Sequence, residues 1–561
     1  MVLFSLNTLA CDYTYQTFDE LKNRYESLPL AVTLKPEESG FYYDEASKQE
    51  TEDFVYTKKG IEKDTFLATV HQFKVVMRNQ LEMGSWCSGH RLDLTATLEQ
   101  GKKHPYYLEK CVVTDDEKLF FIGDLHGDVH AFIREMEKLS EEGYLDKDDP
   151  LKIKENQKIR IIIQGDCNDK GLYSAELWDM IMRYKIQNPD RFIIIRGNHE
   201  DQIFKGAFEQ ELADKFKMTG RLERHTFIQD LNALLPVALF IGKHDRFNNH
   251  IDYSLFSHAG LELGWAGYDA LLNSTQPHLY QTLDTLDRAT QATKLPKDIK
   301  QILQQKINDT GSSFKNEFVP VNLRSTRNSS PVGFMWNFYT DDAKSTFNYQ
   351  EGSSWIYGQK LFNAVIGLWS NYNALPWHQK MWRWTNSYLR HWGIKKWELP
   401  TTYTTVTNIR SHQHAAMPEI GQFPEMCTLI ENKGLYKHWS KILATHPYLY
   451  RYDRMKRTHD ISVTYPSAFT TLCAPSNAYG YPYRANQIKR ANGEQVFPHA
   501  PDTHYLQLFN FATIGALTLA DSYKKWKIDS YAVDVFQQKD VLNMLPQGSA
   551  FQSPYIVEKI E

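Results

Sequence analysis

A relay of short apolar runs, each closed by a turn of polar residues, most restricts how this 561-residue chain can fold. Between residues 119 and 260 the runs are LFFI ending at Ile122, IRIII at Ile163, RFIII at Ile195, VALFI at Ile241 and YSLF at Phe256. Their length and their β-branched and aromatic content are those of strands. The stretches 129–142, 175–186 and 201–216 between them are amphipathic at helical spacing. Strands alternating with helices predict an α/β unit with a largely parallel sheet. The runs are continuously apolar rather than alternating, as expected when both faces of a sheet are covered.

The rest of the chain is organised around this unit. Residues 66–82 predict a helix with one buried face. From 263 to about 313 the sequence turns polar and helical, and Pro296 divides it into two helices, an inserted hairpin over 263–315. VGFMWN and TTYTTVTNI read as strands, and AFTTLCAPSNAYG as a strand followed by a turn. The Trp-rich WHQKMWRWTNSYLRHWGIKKW reads as helical and partly exposed, a second insertion over about 360–400. No strong periodicity follows residue 521. The expected organisation is an accessory region over 1–110, a catalytic domain over 111–516 and a tail over 517–561.

Composition excludes some classes. With 64 basic against 68 acidic side chains the net charge is -4, which argues against a nucleic-acid binder. No apolar run reaches the ~18 residues of a membrane span. The first residues lack a basic n-region and read as an ordinary first segment. Cys11, Cys87, Cys111, Cys167, Cys427 and Cys473 show no paired spacing, so a soluble protein of a reducing compartment is expected.

The strand ends carry the chemistry. GDLHGD supplies Asp124, His126 and Asp128; GDCND supplies Asp166 and Asp169; GNHED supplies Asn198, His199 and Glu200. SHAG supplies His258, and IRSHQH supplies His412 and His414. Taken singly each motif is weak, because Asp and Gly mark turns and a lone His is more often a satisfied core or surface residue. Their order and context make the case: functional groups in open α/β sheets gather at the carboxyl ends of strands. Imidazole with carboxylate suits Mn, Fe or Zn. Six candidate ligands exceed the four of a structural zinc. They fit two ions bridged by one carboxylate, a site ~3.5–4 Å across that clamps a phosphoryl group and activates water.

GDLHGD, GDCNDKG, RGNHED, SHAG, RSHQ and TLCAPSNAYG together resemble the successive signatures of the phosphoprotein phosphatase family of metallophosphoesterases, over about 118–511. The resemblance implies a metallophosphoesterase-type β-sandwich flanked by helices and two divalent ions, Mn first, with Fe, Zn or Mg as alternatives. It implies that Asp124 and His126 ligate one ion, Asp166 bridges both, and Asn198, His258 and His412 ligate the second. His199 would be the general acid, oriented by Asp169. His414 is a rival to His412, and the Arg-Ser-His-Gln match favours His412. Cys167 then reads as a bystander, since the flanking aspartates explain the turn without a thiolate.

Two departures bear on substrate. Lys170 stands where the family carries arginine, and Glu351 falls where a second arginine belongs. Arginine holds phosphate through a planar fork, lysine as a point charge. Phosphate could still bind through the metals, Asn198 and Lys170, but the pocket must differ from that of an ordinary Ser/Thr phosphatase. A slight preference for phosphotyrosine is expected. With its helical insertion and added C-terminal part, the pattern is similar to the Wip-type effector phosphatases that some intracellular bacteria inject into host cells. That resemblance implies host phosphoprotein substrates, and it makes the terminal FQSPYIVEKIE a translocation signal; by composition it is equally a plain disordered end. The helical insertion and C-terminal region are expected to dock a partner protein or simply pack on the scaffold. Competing readings are a small-molecule metallophosphoesterase and a degenerate phosphatase fold used as a binding module.

Overall fold

The computed structural model describes residues 13–28, 60–83, 106–113, 115–169, 171, 173–201, 207–245, 249–283, 291, 293–301, 333–339, 347–349, 355–394, 399–412, 435–437, 461–463, 465–471, 483–484, 505–506 and 511–534. Among them two large sheets pack face to face. In the first, β2 (Lys118–Ile122), β3 (Ile159–Ile163) and β4 (Phe192–Ile194) run parallel. The antiparallel β12 (Phe511–Thr518) lies on the other edge of β2, followed by β13 (Lys527–Asp534) and β10 (Ile461–Ser462). The second sheet contains β9 (Leu435–Lys437), β11 (Ser467–Thr471), β8 (Thr402–Arg410), β6 (His250–Ser257), β5 (Ala238–Asp245), β1 (Tyr107–Val113) and β7 (His278–Thr282), in that spatial order.

The period-two geometry of a strand explains the continuous apolar runs. Leu119 and Phe121 of β2 and Ile162 of β3 point between the sheets, where they meet Leu239, Ile241, Phe256, Ile409 and Phe469. Their neighbours Phe120, Ile122, Ile161 and Ile163 point the other way, into a helical layer. That layer comprises α1 (Phe18–Glu26), α2 (Lys63–Met83), α3 (Val129–Glu141) and α4 (Ser174–Gln187), contributing Leu21, Phe66, Phe132 and Trp178 among others. On the opposite side Phe240, Tyr253 and Leu255 pack with Trp265 and with Phe362 and Val365 of α10 (Gln359–Leu368). Each such side chain contributes about 1.5–3 kcal/mol on burial. The fold is a mixed α/β sandwich with helices outside both sheets.

Several expectations need correction. The largely parallel sheet proves mixed, its parallel strands forming one half, while the β-sandwich flanked by helices is as the resemblance implied. The described residues of the region 1–110 do not stand apart: Phe66, Val70, Phe73 and Met77 of α2 enter the core beneath β2 and β3, and β1 begins at Tyr107. The predicted hairpin over 263–315 opens with the short α8 (Tyr268–Leu272) and then β7, which pairs antiparallel with β1; residues 302–332 lie outside the described set. VGFMWN contains the single-turn α9 (Gly333–Trp336) rather than a strand. The stretch 201–216 divides into α5 (Asn198–Asp201) and α6 (Ala207–Phe216), followed by α7 (Arg221–Asn232). The domain does not end at 516, because β13 pairs along the whole of β12 and places Ile528 between the sheets. The Trp-rich segment forms α11 (Trp377–His391).

β12 lies so close to β2 that a Cβ at Gly515 would overlap the Phe121 ring. Gly515→Ala is expected to lower stability by about 1–3 kcal/mol in chemical denaturation. Adding Phe121→Leu should restore part of that loss, as contacting residues couple. Additive effects would contradict this packing.

Candidate metal centre and catalytic dyad

The carboxyl ends of β2, β3, β4, β6 and β8 meet at one rim of the sandwich. Asp128 caps α3 by accepting the Ala131 N–H at 2.9 Å, which turns the loop after β2. The carbonyl of Asp166 accepts the N–H groups of Leu125 and His126 at 3.1 and 2.7 Å and ties that loop to the end of β3. Glu200 is the clasp between the ends of β3 and β4: its carboxylate accepts N–H from Asp166 at 2.7 Å, Cys167 at 2.9 Å and Gly197 at 2.8 Å. Gly165 has φ 93°, and a Cβ there would run into the Gly197 backbone, so the close approach of these loops requires glycine.

Backbone strain concentrates here. His126, Asp166, Asp169 and His412 have φ of 45°, 52°, 65° and 64°; Lys217 and Asn249 are the other non-glycine residues with positive φ among those described. Such conformations cost about 1–3 kcal/mol each and persist where the surroundings impose them. At this rim they turn side chains inward.

Asp124, His126, Asp166, Asn198, His258 and His412 are all buried and brought together. Asp166 Oδ2 lies 3.5 Å from His126 Nε2 and 3.3 Å from His258 Nε2. His126 Nε2 is 3.8 Å from Asp124 Oδ2. His258 Nε2, His412 Nδ1 and Asn198 Oδ1 form a triangle with sides of 3.0, 2.9 and 2.8 Å. A cation with ~2.1 Å bonds in tetrahedral or octahedral coordination has ligands ~3.0–3.4 Å apart, and the separations in this set, from 2.8 to 3.8 Å, bracket that spacing. Two groups of possible ligands share Asp166: His126 and His199 on one side, His258 and His412 on the other.

The outer ring nitrogens agree with that reading. His258 Nδ1 sits 2.8 Å from the Gln164 carbonyl, and His126 Nδ1 sits 3.1 Å from that of Asn168. Each carbonyl takes the ring N–H and leaves Nε2 presenting a lone pair inward. The Asn198 oxygen therefore faces a lone pair of His258. With no cation, the amide turned over would donate to Asp166, His258 and His412 instead; with a cation, the oxygen belongs inward. The donor set fits divalent ions.

Burial alone would raise the Asp166 pKa, but the charges of His258 and His199 outweigh it and hold the carboxyl well below its usual range. Burial pulls His258 down, yet Asp166 and Asp124 carry it up to about 9. The pocket thus attracts positive charge, proton or metal. Burial and the Asp166 charge raise Glu200 to about 7. Cys167 is fully buried, and burial followed by the Glu200 charge pushes its thiol well above the ordinary value, which removes it as a nucleophile.

His199 and Asp169 form a separate pair at the lip. His199 Nδ1 lies 3.1 Å from Asp169 Oδ2, and the other carboxylate oxygen of Asp169 accepts the Phe208 N–H at 3.0 Å. The His199 N–H donates to Asp166 Oδ1 at 2.9 Å. With Nδ1 engaged, Nε2 faces the cluster, 4.0 Å from Asp166 Oδ2. Lys170, Glu351 and His414 lie outside the described residues. Sequence reasoning quoted Glu200 within GNHED but assigned it no role. Trp336, whose ring meets that of His412 edge-on at 6.4 Å, was missed because VGFMWN, residues 332–337, read as strand.

A family model described as "Calcineurin-like phosphoesterase" matches residues 117–462. The chain is 36% identical over 110 residues to a serine/threonine-protein phosphatase 4 catalytic subunit of Eremothecium gossypii, covering 19% of this chain and 31% of that one. It is 27% identical over 139 residues to serine/threonine-protein phosphatase 7 of Arabidopsis thaliana, covering 23% and 30%. It thus spans about three tenths of the length of these curated relatives. A Saccharomyces cerevisiae protein serine/threonine phosphatase structure is similar with a TM-score of 0.38 and 13% identity, over 85% of this chain and 91% of that one; a likeness this loose carries no argument.

Asp166→Asn is expected to lower bound divalent metal, measured by mass spectrometry of the purified protein, because the carboxylate common to both ligand groups loses its charge. Glu200→Ala leaves three buried N–H groups without their acceptor, each worth about 1–3 kcal/mol. It should lower the unfolding free energy by several kcal/mol and disturb metal content as well. Unchanged stability would remove Glu200 from the role of clasp.

Proposed function

The chain belongs to the calcineurin-like phosphoesterase family, and from that premise we propose that it is a metal-dependent phosphoprotein phosphatase. The observation that carries the proposal is the pairing of the buried Asp/His/Asn cluster with the His199–Asp169 dyad at its lip. Asp124, His126 and Asp166 would hold one ion, and Asp166, Asn198, His258 and His412 the second. When bound, the ions supply positive charge against the phosphoryl oxygens and lower the pKa of water at the site.

The chain's own residues do the rest. Asp169 holds the His199 ring with Nδ1 protonated and steadies the imidazolium. His199 Nε2 delivers a proton to the departing oxygen as water attacks phosphorus, so no phosphoenzyme forms. Asn198 turns its amide toward the cluster, where it can orient a phosphoryl oxygen, and Lys170 supplies positive charge from the same loop as Asp169. Glu200 keeps the two loops at their separation.

The finer proposal is a slight preference for phosphotyrosine. It rests on Lys170 and Glu351 standing where a Ser/Thr phosphatase of the family carries arginines. Action as an injected effector on host phosphoproteins rests on the Wip-type resemblance. Turnover of matched phosphotyrosine and phosphoserine peptides with Mn and with chelator tests the first two levels. Equal or serine-biased rates would remove the tyrosine preference while leaving the phosphatase. Preferential hydrolysis in a parallel panel of nucleotides would favour a small-molecule esterase, and absence of metal and turnover would favour a binding module.

His199→Ala is expected to reduce kcat about 10²–10⁴-fold with bound metal retained. The loss should be smaller for an aryl phosphate whose leaving oxygen needs no proton. Wild-type turnover by His199→Ala would end the acid assignment.

A further inference from the structure

α11 is amphipathic in the opposite sense from a helix packed on a protein core. Its buried side chains are polar: Arg383, which donates to the Pro400 carbonyl, and Asn386. Its outward face is aromatic, with Trp377 73%, Trp384 71% and Tyr388 57% exposed, joined by Met381 and, just past the helix end, Trp392 at 67%. These positions are spaced four, three, four and four residues apart, so they stack as one stripe along the helix. The rings touch in series: Trp384 and Tyr388 are stacked with centroids 6.3 Å apart, and Tyr388 meets Trp392 at 6.3 Å. Solvent-facing aromatic patches of this kind mark a contact surface.

Charge indicates what it contacts. From Trp377 to Trp397 the sequence contains Lys380, Arg383, Arg390, Lys395 and Lys396 and no Asp or Glu, although the whole chain is net acidic. Lys380, one turn before Trp384 on the helix, packs over the Tyr372 ring at 5.5 Å and donates to the Asn373 carbonyl at 3.1 Å. Trp and Tyr combine an apolar body with a polar tip and concentrate at the water–lipid boundary. A protein partner recognises a few central anchors inside a polar rim, whereas this stripe runs the length of the helix, in a segment whose sequence carries basic and no acidic residues. Among the described residues no helix is long and apolar enough to cross a membrane, so the arrangement is that of a helix lying in the plane of the boundary.

We propose that α11 is a membrane-surface anchor: Trp377, Trp384, Tyr388 and Trp392 enter the headgroup region of an anionic bilayer, and Lys380 meets the lipid phosphates. The inference is independent of the reaction at the metal cluster. It places the enzyme on a surface, where the substrates it reaches are those at the same membrane.

The test is co-sedimentation of the full chain with phosphatidylcholine vesicles, with and without about 30% phosphatidylserine. Wild type is expected to sediment with the anionic vesicles and to be released by salt. The double variant Trp384→Ala/Trp392→Ala should bind about tenfold or more weakly, and Lys380→Glu should weaken binding to anionic vesicles alone. Unchanged turnover of a soluble phosphopeptide checks that the variants are folded. Trp377→Ala, at the first position of the helix, provides a second reading if the double variant does not fold. Wild type remaining in the supernatant with both vesicles would overturn the proposal. So would aromatic variants that bind as tightly as wild type, or a concentration-dependent dimer of the chain that the substitutions dissolve.

Discussion

The Glu200 carboxylate, accepting three backbone N–H groups from the ends of β3 and β4, is the interaction on which the site depends. The two loops it joins bear Asp166 and Asp169 on one side and Asn198 and His199 on the other. Without a shared acceptor those N–H groups would be buried and unpaired, and the loops would have no reason to hold their left-handed residues. The sandwich brings the strand ends to one rim, and the clasp sets their separation there.

From that rim the electrostatics follow. Two buried carboxylates, Asp124 and Asp166, create a potential that raises His258 to about 9 even though burial opposes its charge. A site that binds a proton so firmly is one where a divalent ion can compete, since both satisfy the same lone pairs. Asn198 lies at the junction: its oxygen completes the ring of acceptors and its backbone leads directly to His199. His199 is thereby fixed relative to the cluster by one short helix, α5, rather than by a long loop.

The apolar runs and Gly-polar turns were legible because they obey local rules. β2, β3, β4, β6 and β8 are rich in β-branched and aromatic residues, and the residues following them are short polar types at turns. β1, β7 and β13 were not legible. β7 is five residues of mixed polarity inside a stretch dominated by helical spacing. β13 mixes charged, polar and apolar residues without a clean period, and it becomes a strand because β12 offers an edge beside β2. α9 read as a strand because its large apolar residues suit either state, and packing against Trp265 and Trp369 selects the helix. Glu200 could be read as part of a motif but not as a clasp, since two of its three partners, Asp166 and Cys167, are over thirty residues away.

What the amino-acid order determined by itself was the succession of strands and the chemical type of residue at each strand end, because periodicity and turn chemistry act over a few neighbours. From those it followed that Asp, His and Asn side chains would face a cation and a phosphoryl group. Only the tertiary structure decided the strand order and register of the two sheets, that residues 511–534 complete the first, and which atoms of Asp166, His258, His412 and Asn198 meet. It also decided that α11 turns its aromatic residues outward and buries Arg383 and Asn386. These outcomes depend on contacts between separate segments, from Arg383 with Pro400, 17 residues on, to Asn198 with His412, 214 residues on, and such contacts leave no periodic trace in either segment alone.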